Sequence, residues 1–305
     1  MTEKIKLIAV VGPTATGKTA VAAELARQVD GEVVSCDSMQ IYRGMEIASA
    51  SPTLAEMREI PHHLIGIIDP GERFSVARYC ELAHETIADI TARGKTPILC
   101  GGTGLYYSSL VDGIRFPDEA VDDELRERLR KRAETEGGDA LLGELRGIDP
   151  EAAARLSPAD HKRIIRAIEV YRTTGITITE QERVSRLGEP RYDLAAFGLT
   201  FRDRELLYNR INMRVLAMLE AGLEREARHM LGMEGTTSAQ AIGHKELAAW
   251  FAGECTREEA VTRLQQATRR YAKRQLTWFR RDGRIRWIEM DDITPIDAVS
   301  VIVGK

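Results

Sequence analysis

The chain has 305 residues, 43% of them hydrophobic and 30% charged, with 25 glycines and 10 prolines. That balance describes a globular protein with room for one large domain or two small ones, and excludes a disordered or collagen-like chain. The formal net charge of −4 taken alone argues against a nucleic-acid binder, and no apolar run is long enough for a transmembrane helix.

Residues 6–11 form a short apolar run. It ends in a glycine loop rather than a small-residue cleavage site, so it reads as a first strand and not a signal peptide. Residues 20–29 are alanine-rich and helical, and residues 32–36 read as a second strand ending at Asp37. Residues 75–92 have the spacing of an amphipathic helix with Ser75 as its cap. A third strand over 96–100 ends in Gly101 and Gly102, and a helix follows from Thr103. Strand and helix alternating in this way predict an α/β fold, a parallel sheet flanked by helices.

The texture then changes. Residues 118–189 are charged and helical, without a strong strand signal, and are bounded by Pro117 and a Gly188–Glu189–Pro190 turn. The expected organisation is an α/β core over 1–116, an all-helical insertion over 117–190, and the rest of the core over 191–305. Within that last part, 192–201 reads as a strand and 204–231 as a helix interrupted at Gly222. A long basic helix over 257–281 and a final strand over 284–289 follow.

Cys36, Cys80, Cys100 and Cys255 are scattered, as in buried thiols of a reducing cytosol rather than a disulfide scaffold or zinc ribbon. His62 and His63 are neighbours whose side chains diverge, which favours a loop over a metal site. Trp250, Trp278 and Trp287 read as core residues rather than base-stacking platforms. Charge is unevenly spread. Between 257 and 286 stand ten basic residues and three acids, and smaller basic clusters lie at 126–132 and 162–172. Such patches are either solvated helix faces or the footprint of a polyanion.

The strongest signal is Gly12-Pro13-Thr14-Ala15-Thr16-Gly17-Lys18-Thr19, a full match to GxxxxGK[ST] after a strand and at the start of a helix. Glycines let backbone N–H groups curl around phosphate oxygens, and the helix N-terminus favours an anion. Lys18 supplies a point charge and Thr19 a hydroxyl for Mg²⁺. The acid that usually closes a second strand in P-loop hydrolases is missing after residue 100. Asp37 is the well-placed carboxylate. It could hold Mg²⁺, act as a base, or cap a turn, and its place at a strand's C-terminal edge favours a substrate-facing role.

Three motifs, GPTATGKT, DSMQIYRGMEI and GGTGLYY, together resemble the tRNA dimethylallyltransferases. The likeness continues through HKRIIRAIEVY, RELLYNRINMRV, SAQAIGHKE and AKRQLTWFRRD, from residue 12 to about 281. It implies a P-loop fold that holds dimethylallyl diphosphate. The five-carbon group would pass to the exocyclic amine of the adenosine 3′ to a tRNA anticodon, with Mg²⁺. It further implies Asp37 as general base, with Thr103 near the reaction and Arg214 on the diphosphate. Asp37, Ser38, Met39 and Gln40 would read the flipped adenine. Arg126, the run Lys162, Arg163, Ile164, Ile165, Arg166, and the run Gln240, Ala241, Ile242, Gly243, His244, Lys245 would grip the anticodon arm.

The family commonly has lysine where Ser51 stands and tyrosine where His244 stands. The chain ends at Lys305 without zinc-finger spacing, as in the bacterial form. A cytoplasmic monomer whose insertion closes over the RNA is expected. The rival readings are a P-loop small-molecule kinase, a prenyltransferase for free adenine nucleotides, and a non-catalytic RNA-binding module.

Overall fold

A computed structural model of the protein describes residues 4–114, 116, 122–185, 191–232 and 236–304. The chain divides into two compact units, Met1–Val111 with Pro190–Lys305, and Asp112–Glu189. Pro117 and the 188–190 turn lie outside the described residues.

The first unit begins with β1 (Ile5–Val11), α1 (Lys18–Val29), β2 (Gly31–Ser35), α2 (Leu54–Met57), β3 (His62–His63), α3 (Val76–Ala92), β4 (Thr96–Gly101) and α4 (Gly104–Val111). It resumes with β5 (Tyr192–Thr200), α10 (Arg204–Glu220), α11 (Leu223–His229), α12 (His244–Phe251), α13 (Arg257–Phe279), β6 (Ile285–Glu289) and α14 (Pro295–Val303). The strands form one parallel sheet in the order β3-β2-β4-β1-β5-β6. The central strands read as unbroken apolar runs because helices cover both faces. Val10, Val21, Leu25, Ile98 and Leu199 are fully buried in one cluster that also takes Val299 of α14. Each such side chain contributes about 1.5–3 kcal/mol on burial.

The register aligns the ends of the strands. Val11 of β1 stands beside Gly101 of β4 and Gly198 of β5, and Ser35 of β2 beside Cys100. The loops after β1, β2 and β4 therefore leave the sheet together, where ligands of open parallel sheets bind.

The expected strands and long helices are present, with Ser75 capping α3 through the Arg78 amide and Gly222 (φ 103°) separating α10 from α11. Four elements of this unit, β3, α2, α12 and α14, were not expected. His62 and His63 do not form a loop but the edge strand β3, paired with Val33 and Val34. Two residues are too short for any alternation to show, and the pair is fixed by register and by a 2.7 Å contact of His63 with the buried Glu32. The short α2 and α14 each start with a Thr capping box, Thr53/Glu56 and Thr294/Asp297. The four cysteines are free.

The second unit holds α5 (Asp123–Thr135), α6 (Gly138–Ile148), α7 (Pro150–Ala154), α8 (His161–Thr174) and α9 (Ile178–Ser185). Leu125, Leu129, Leu141, Leu145, Ile164, Ile165 and Ile168 fill its core. Glu169 is fully buried and paired with Arg126 at 2.7 Å and Arg166 at 3.0 Å. Asp149 caps α7 and receives both the amide and the hydroxyl of Thr179. No helix among the described residues is long and apolar enough to cross a membrane.

Candidate active site

The loop from Gly12 to Gly17 curls because three of its residues take left-handed backbone. Gly12 has φ 135°, Ala15 φ 67° and Gly17 φ 91°. A Cβ at Gly12 would lie 2.5 Å from the Leu199 carbonyl oxygen, so β1 and β5 can pack only around glycine there. Ala15 costs about 1–2 kcal/mol in that conformation. It is held because its carbonyl accepts the Arg210 Nε hydrogen at 2.9 Å and its methyl packs against Leu207, Ile211 and Ala272. The Thr16 hydroxyl and the Lys18 ammonium both donate to the Pro13 carbonyl, at 2.9 and 2.7 Å. Thr19 lies in the first turn of α1, whose N-terminus opens onto the loop.

Asp37 follows β2. Its Oδ1 accepts the Met39 amide at 2.9 Å. Burial pushes its carboxyl above the ordinary carboxylate range, against the opposing pull of the Met39 amide, Lys18 and Arg214. Burial also lowers Lys18 to about 8, and lowers Arg214. Two cations and one carboxylate thus share a partly desolvated cleft, an arrangement characteristic of reacting sites.

Thr103, after β4, closes the other side. Its amide donates to the Cys36 carbonyl at 3.0 Å, and its Oγ1 accepts the Ser38 amide at 2.9 Å. Gly101 can have no side chain, since a Cβ would collide with the Cys36 backbone. Gln40 accepts the Ser35 hydroxyl at 2.8 Å and donates to the Ala50 carbonyl at 3.4 Å. The Arg214 guanidinium reaches the same carbonyl at 3.5 Å. The structure therefore brings the P-loop, Asp37, Ser38, Met39, Gln40, Thr103 and Arg214 to one sheet edge.

Other expected contacts fall elsewhere. Ile164 and Ile165 are core residues of the helical unit, because they lie on the apolar stripe of α8, so their side chains offer nothing to an RNA. Ala241, Gly243 and His244 are buried, His244 against Glu226, whereas Gln240 and Lys245 are exposed and Ile242 is half-buried. Arg163 is exposed, within 3.7 Å of Asp160. Lys162 is also exposed. Trp278 is not core: it is 38% exposed and lies over Gly104, where a Cβ would meet its indole ring. Trp250 and Trp287 are half-buried.

Sequence reasoning missed Gln275. On α13, 5% exposed, it accepts the Thr14 amide at 2.9 Å and donates to the Gly102 carbonyl at 2.9 Å. Its signal was a polar residue on the stripe Ala260, Leu264, Ala272, Phe279. Also missed was a groove of about 440 Å³ between α10 and α13, lined by Arg204, Tyr208, Gln266, Arg269, Arg270 and Lys273. The Arg204 and Arg269 guanidiniums each lie over the Tyr208 ring, at 4.9 and 5.7 Å from its centroid. Arg269 is steadied by Asn212 at 2.8 Å. No group of three or more His, Cys, Asp or Glu side chains suited to a metal ion occurs among the described residues.

A family model described as IPP transferase matches residues 40–282, and one described as isopentenyl transferase matches residues 5–65. The tRNA dimethylallyltransferase of Desulforudis audaxviator is 47% identical over 311 residues, covering 100% of this chain and 99% of its own. That of Caldanaerobacter subterraneus is 46% identical over 292 residues, covering 94% and 93%. Among solved structures, the tRNA isopentenylpyrophosphate transferase of Bacillus halodurans aligns with a TM-score of 0.73 at 42% identity, over 99% of this chain and 96% of that one. A eukaryotic dimethylallyltransferase acting on tRNA aligns at 0.82 and 27% identity, over 98% and 77%. A P-loop beside a buried aspartate, on a chain alike to these relatives from end to end, places this protein in the IPP transferase family, that of the tRNA dimethylallyltransferases.

Proposed function

We propose that the protein transfers the dimethylallyl group of dimethylallyl diphosphate to the exocyclic amine of the adenosine 3′ to a tRNA anticodon, releasing diphosphate. The observation that carries this reading is a desolvated carboxylate, Asp37, in one cleft with Lys18 and Arg214. An aspartate beside the loop would also suit a P-loop kinase; the likeness to tRNA dimethylallyltransferases over nearly the whole chain favours prenyl transfer.

An adenine amine is a weak nucleophile because its lone pair is delocalised into the ring. As the carbon–nitrogen bond forms, the nitrogen must lose a proton, and Asp37 is the acceptor. Burial raises its pKa, which makes it a stronger base than an exposed aspartate. Thr103, tied to Ser38, positions the target nucleotide, and Ser38, Met39 and Gln40 read the extruded base. The allylic carbon parts from the diphosphate with cation-like character, so charge grows on the leaving oxygens. The amides of residues 15–19, Lys18 and Arg214 stabilise that charge.

Thr19 offers a hard oxygen donor of the kind Mg²⁺ prefers, and substrate phosphates and water would complete its shell. Bound there, Mg²⁺ would neutralise charge on the leaving diphosphate. The groove on α10 and α13, together with Arg126, Lys162, Arg163, Arg166, Gln240 and Lys245, would take phosphates of the anticodon arm. The protein would work as a cytoplasmic monomer.

The test supplies labelled dimethylallyl diphosphate and Mg²⁺ with unmodified tRNA, AMP, or ATP and metabolites in parallel. Label on tRNA alone supports the reading. Label on AMP, or ATP turnover without transfer, replaces it with one of the rivals.

A further inference from the structure

Glu226 of α11 makes contacts that neither α11 nor α12 needs for its own formation. Its Oε2 accepts the Ile47 amide at 2.8 Å, and its Oε1 accepts the Ala48 amide at 2.8 Å. The same Oε1 lies 3.1 Å from His244 Nε2, and the two side chains are only 7% and 5% exposed. One buried carboxylate thus holds two successive amides of a segment 178 residues away.

That segment is a tight turn with no strand pairing. The Ser49 amide donates to Met45, Ala50 to Ile47 and Ser51 to Glu46, at 3.0, 2.9 and 2.8 Å. Ala50 is in the left-handed region, with φ 50°. Among the described residues the Ser51 hydroxyl reaches Ser49, at 2.8 Å, within the turn itself. Ile47 and Ala48 pack against the cluster of Leu223, Ala227 and Leu247. The turn's free end is the Ala50 carbonyl, which receives Gln40 and the Arg214 guanidinium.

We propose that Glu226, steadied by His244, is a positioning residue that acts through the Ile47–Ala50 turn to aim Arg214 at the diphosphate. The proposal rests on the reading of Arg214 given above. Arg214 has a long, flexible side chain whose burial disfavours its charge. A carbonyl fixed beside it offsets part of that cost and selects one rotamer, so its diphosphate contact needs little reordering. A carboxylate accepting several N–H bonds is the group best able to hold such a turn.

The experiment is a double-mutant cycle read on KM for dimethylallyl diphosphate. Glu226→Gln is expected to raise that KM about tenfold in the wild-type background, and by no more than about twofold once Arg214→Gln has removed the side chain it aims. His244→Gln, which keeps a donor, is expected within about threefold of wild type, and His244→Leu close to Glu226→Gln. An unchanged KM in Glu226→Gln, or the same factor in both backgrounds, overturns the proposal. If Glu226→Gln loses cooperative thermal unfolding, His244→Leu takes its place in both backgrounds: a KM rise that depends on Arg214 supports the relay, and one that does not overturns it. Should wild-type protein transfer nothing to tRNA, the prenyl-transfer reading fails. The cycle, read on calorimetric affinity for inorganic diphosphate, then still decides the relay.

Discussion

The Oε1 of Gln275 accepts the amide hydrogen of Thr14 at 2.9 Å, across 261 positions of sequence. The same carboxamide donates to Gly102, so α13 fastens the P-loop to the loop after β4. Replacement by leucine takes this partner from the part-buried Thr14 N–H and leaves the buried Gly102 carbonyl without it, the latter loss costing about 1–3 kcal/mol. Gln275→Leu is therefore expected to lose at least about 1 kcal/mol in urea denaturation. Its kcat/KM for dimethylallyl diphosphate should fall about tenfold or more. Retained stability with unchanged kinetics would show that the two loops need no such clasp.

Asp37→Asn keeps the shape of the site and its contact with the Met39 amide while removing the base. General-base catalysis is typically worth about 10²–10⁴-fold. Single-turnover transfer is expected to fall by that factor, with tRNA affinity retained. Because burial raises the Asp37 pKa, wild-type activity should decline as pH falls at a higher pH than an exposed aspartate would give. The limb should vanish from the residual rate of the variant. A pH–rate profile of kcat/KM on both proteins checks this.

Lys18 gives the opposite limb. Burial lowers its pKa to about 8 in the free protein. As pH rises through that value the ammonium is lost and the anionic diphosphate binds less well. KM for dimethylallyl diphosphate is expected to rise above about pH 8 while kcat changes less, since the bound diphosphate restores the charged form. A KM that is flat to pH 9.5 or so would remove Lys18 from diphosphate binding.

Charge and packing separate on the faces proposed to bind RNA. Neutralising Arg270 or Lys273, both exposed in the groove of α13, is expected to reduce the slope of log K against log salt for tRNA binding by about 1 each. Ile164→Ala in the helical unit should leave that slope alone. It should cost about 2–5 kcal/mol of stability, because Ile164 is fully buried. Filter binding across a salt series and thermal unfolding measure the two effects.

Much of the sheet was legible because its strands are buried on both faces and read as apolar runs ended by glycine or acid. The P-loop was legible because its chemistry forces both residue type and spacing. His62–His63 was not, since two residues carry no period, and α14 was not, since its start depends on a Thr294/Asp297 box without a long periodic stretch. At the site, Asp37, Thr103 and Arg214 could be named from the sequence as a family resemblance. Gln275 and Glu226 could not, because what they do depends on partners 173 to 261 positions away. Charge runs misled in α8: Ile164 and Ile165 sit inside a basic segment, but the helical repeat turns them inward.

The central claim is that Asp37 takes the proton of a tRNA adenosine amine as dimethylallyl leaves diphosphate. It is tested most directly by single-turnover transfer at neutral pH with wild-type and Asp37→Asn protein, followed by digestion of the tRNA and mapping of the labelled nucleoside. The expected result is label on the adenosine 3′ to the anticodon with wild type, and a rate lower by about 10²-fold or more with the variant. Equal rates, or label on any other nucleoside, would contradict it.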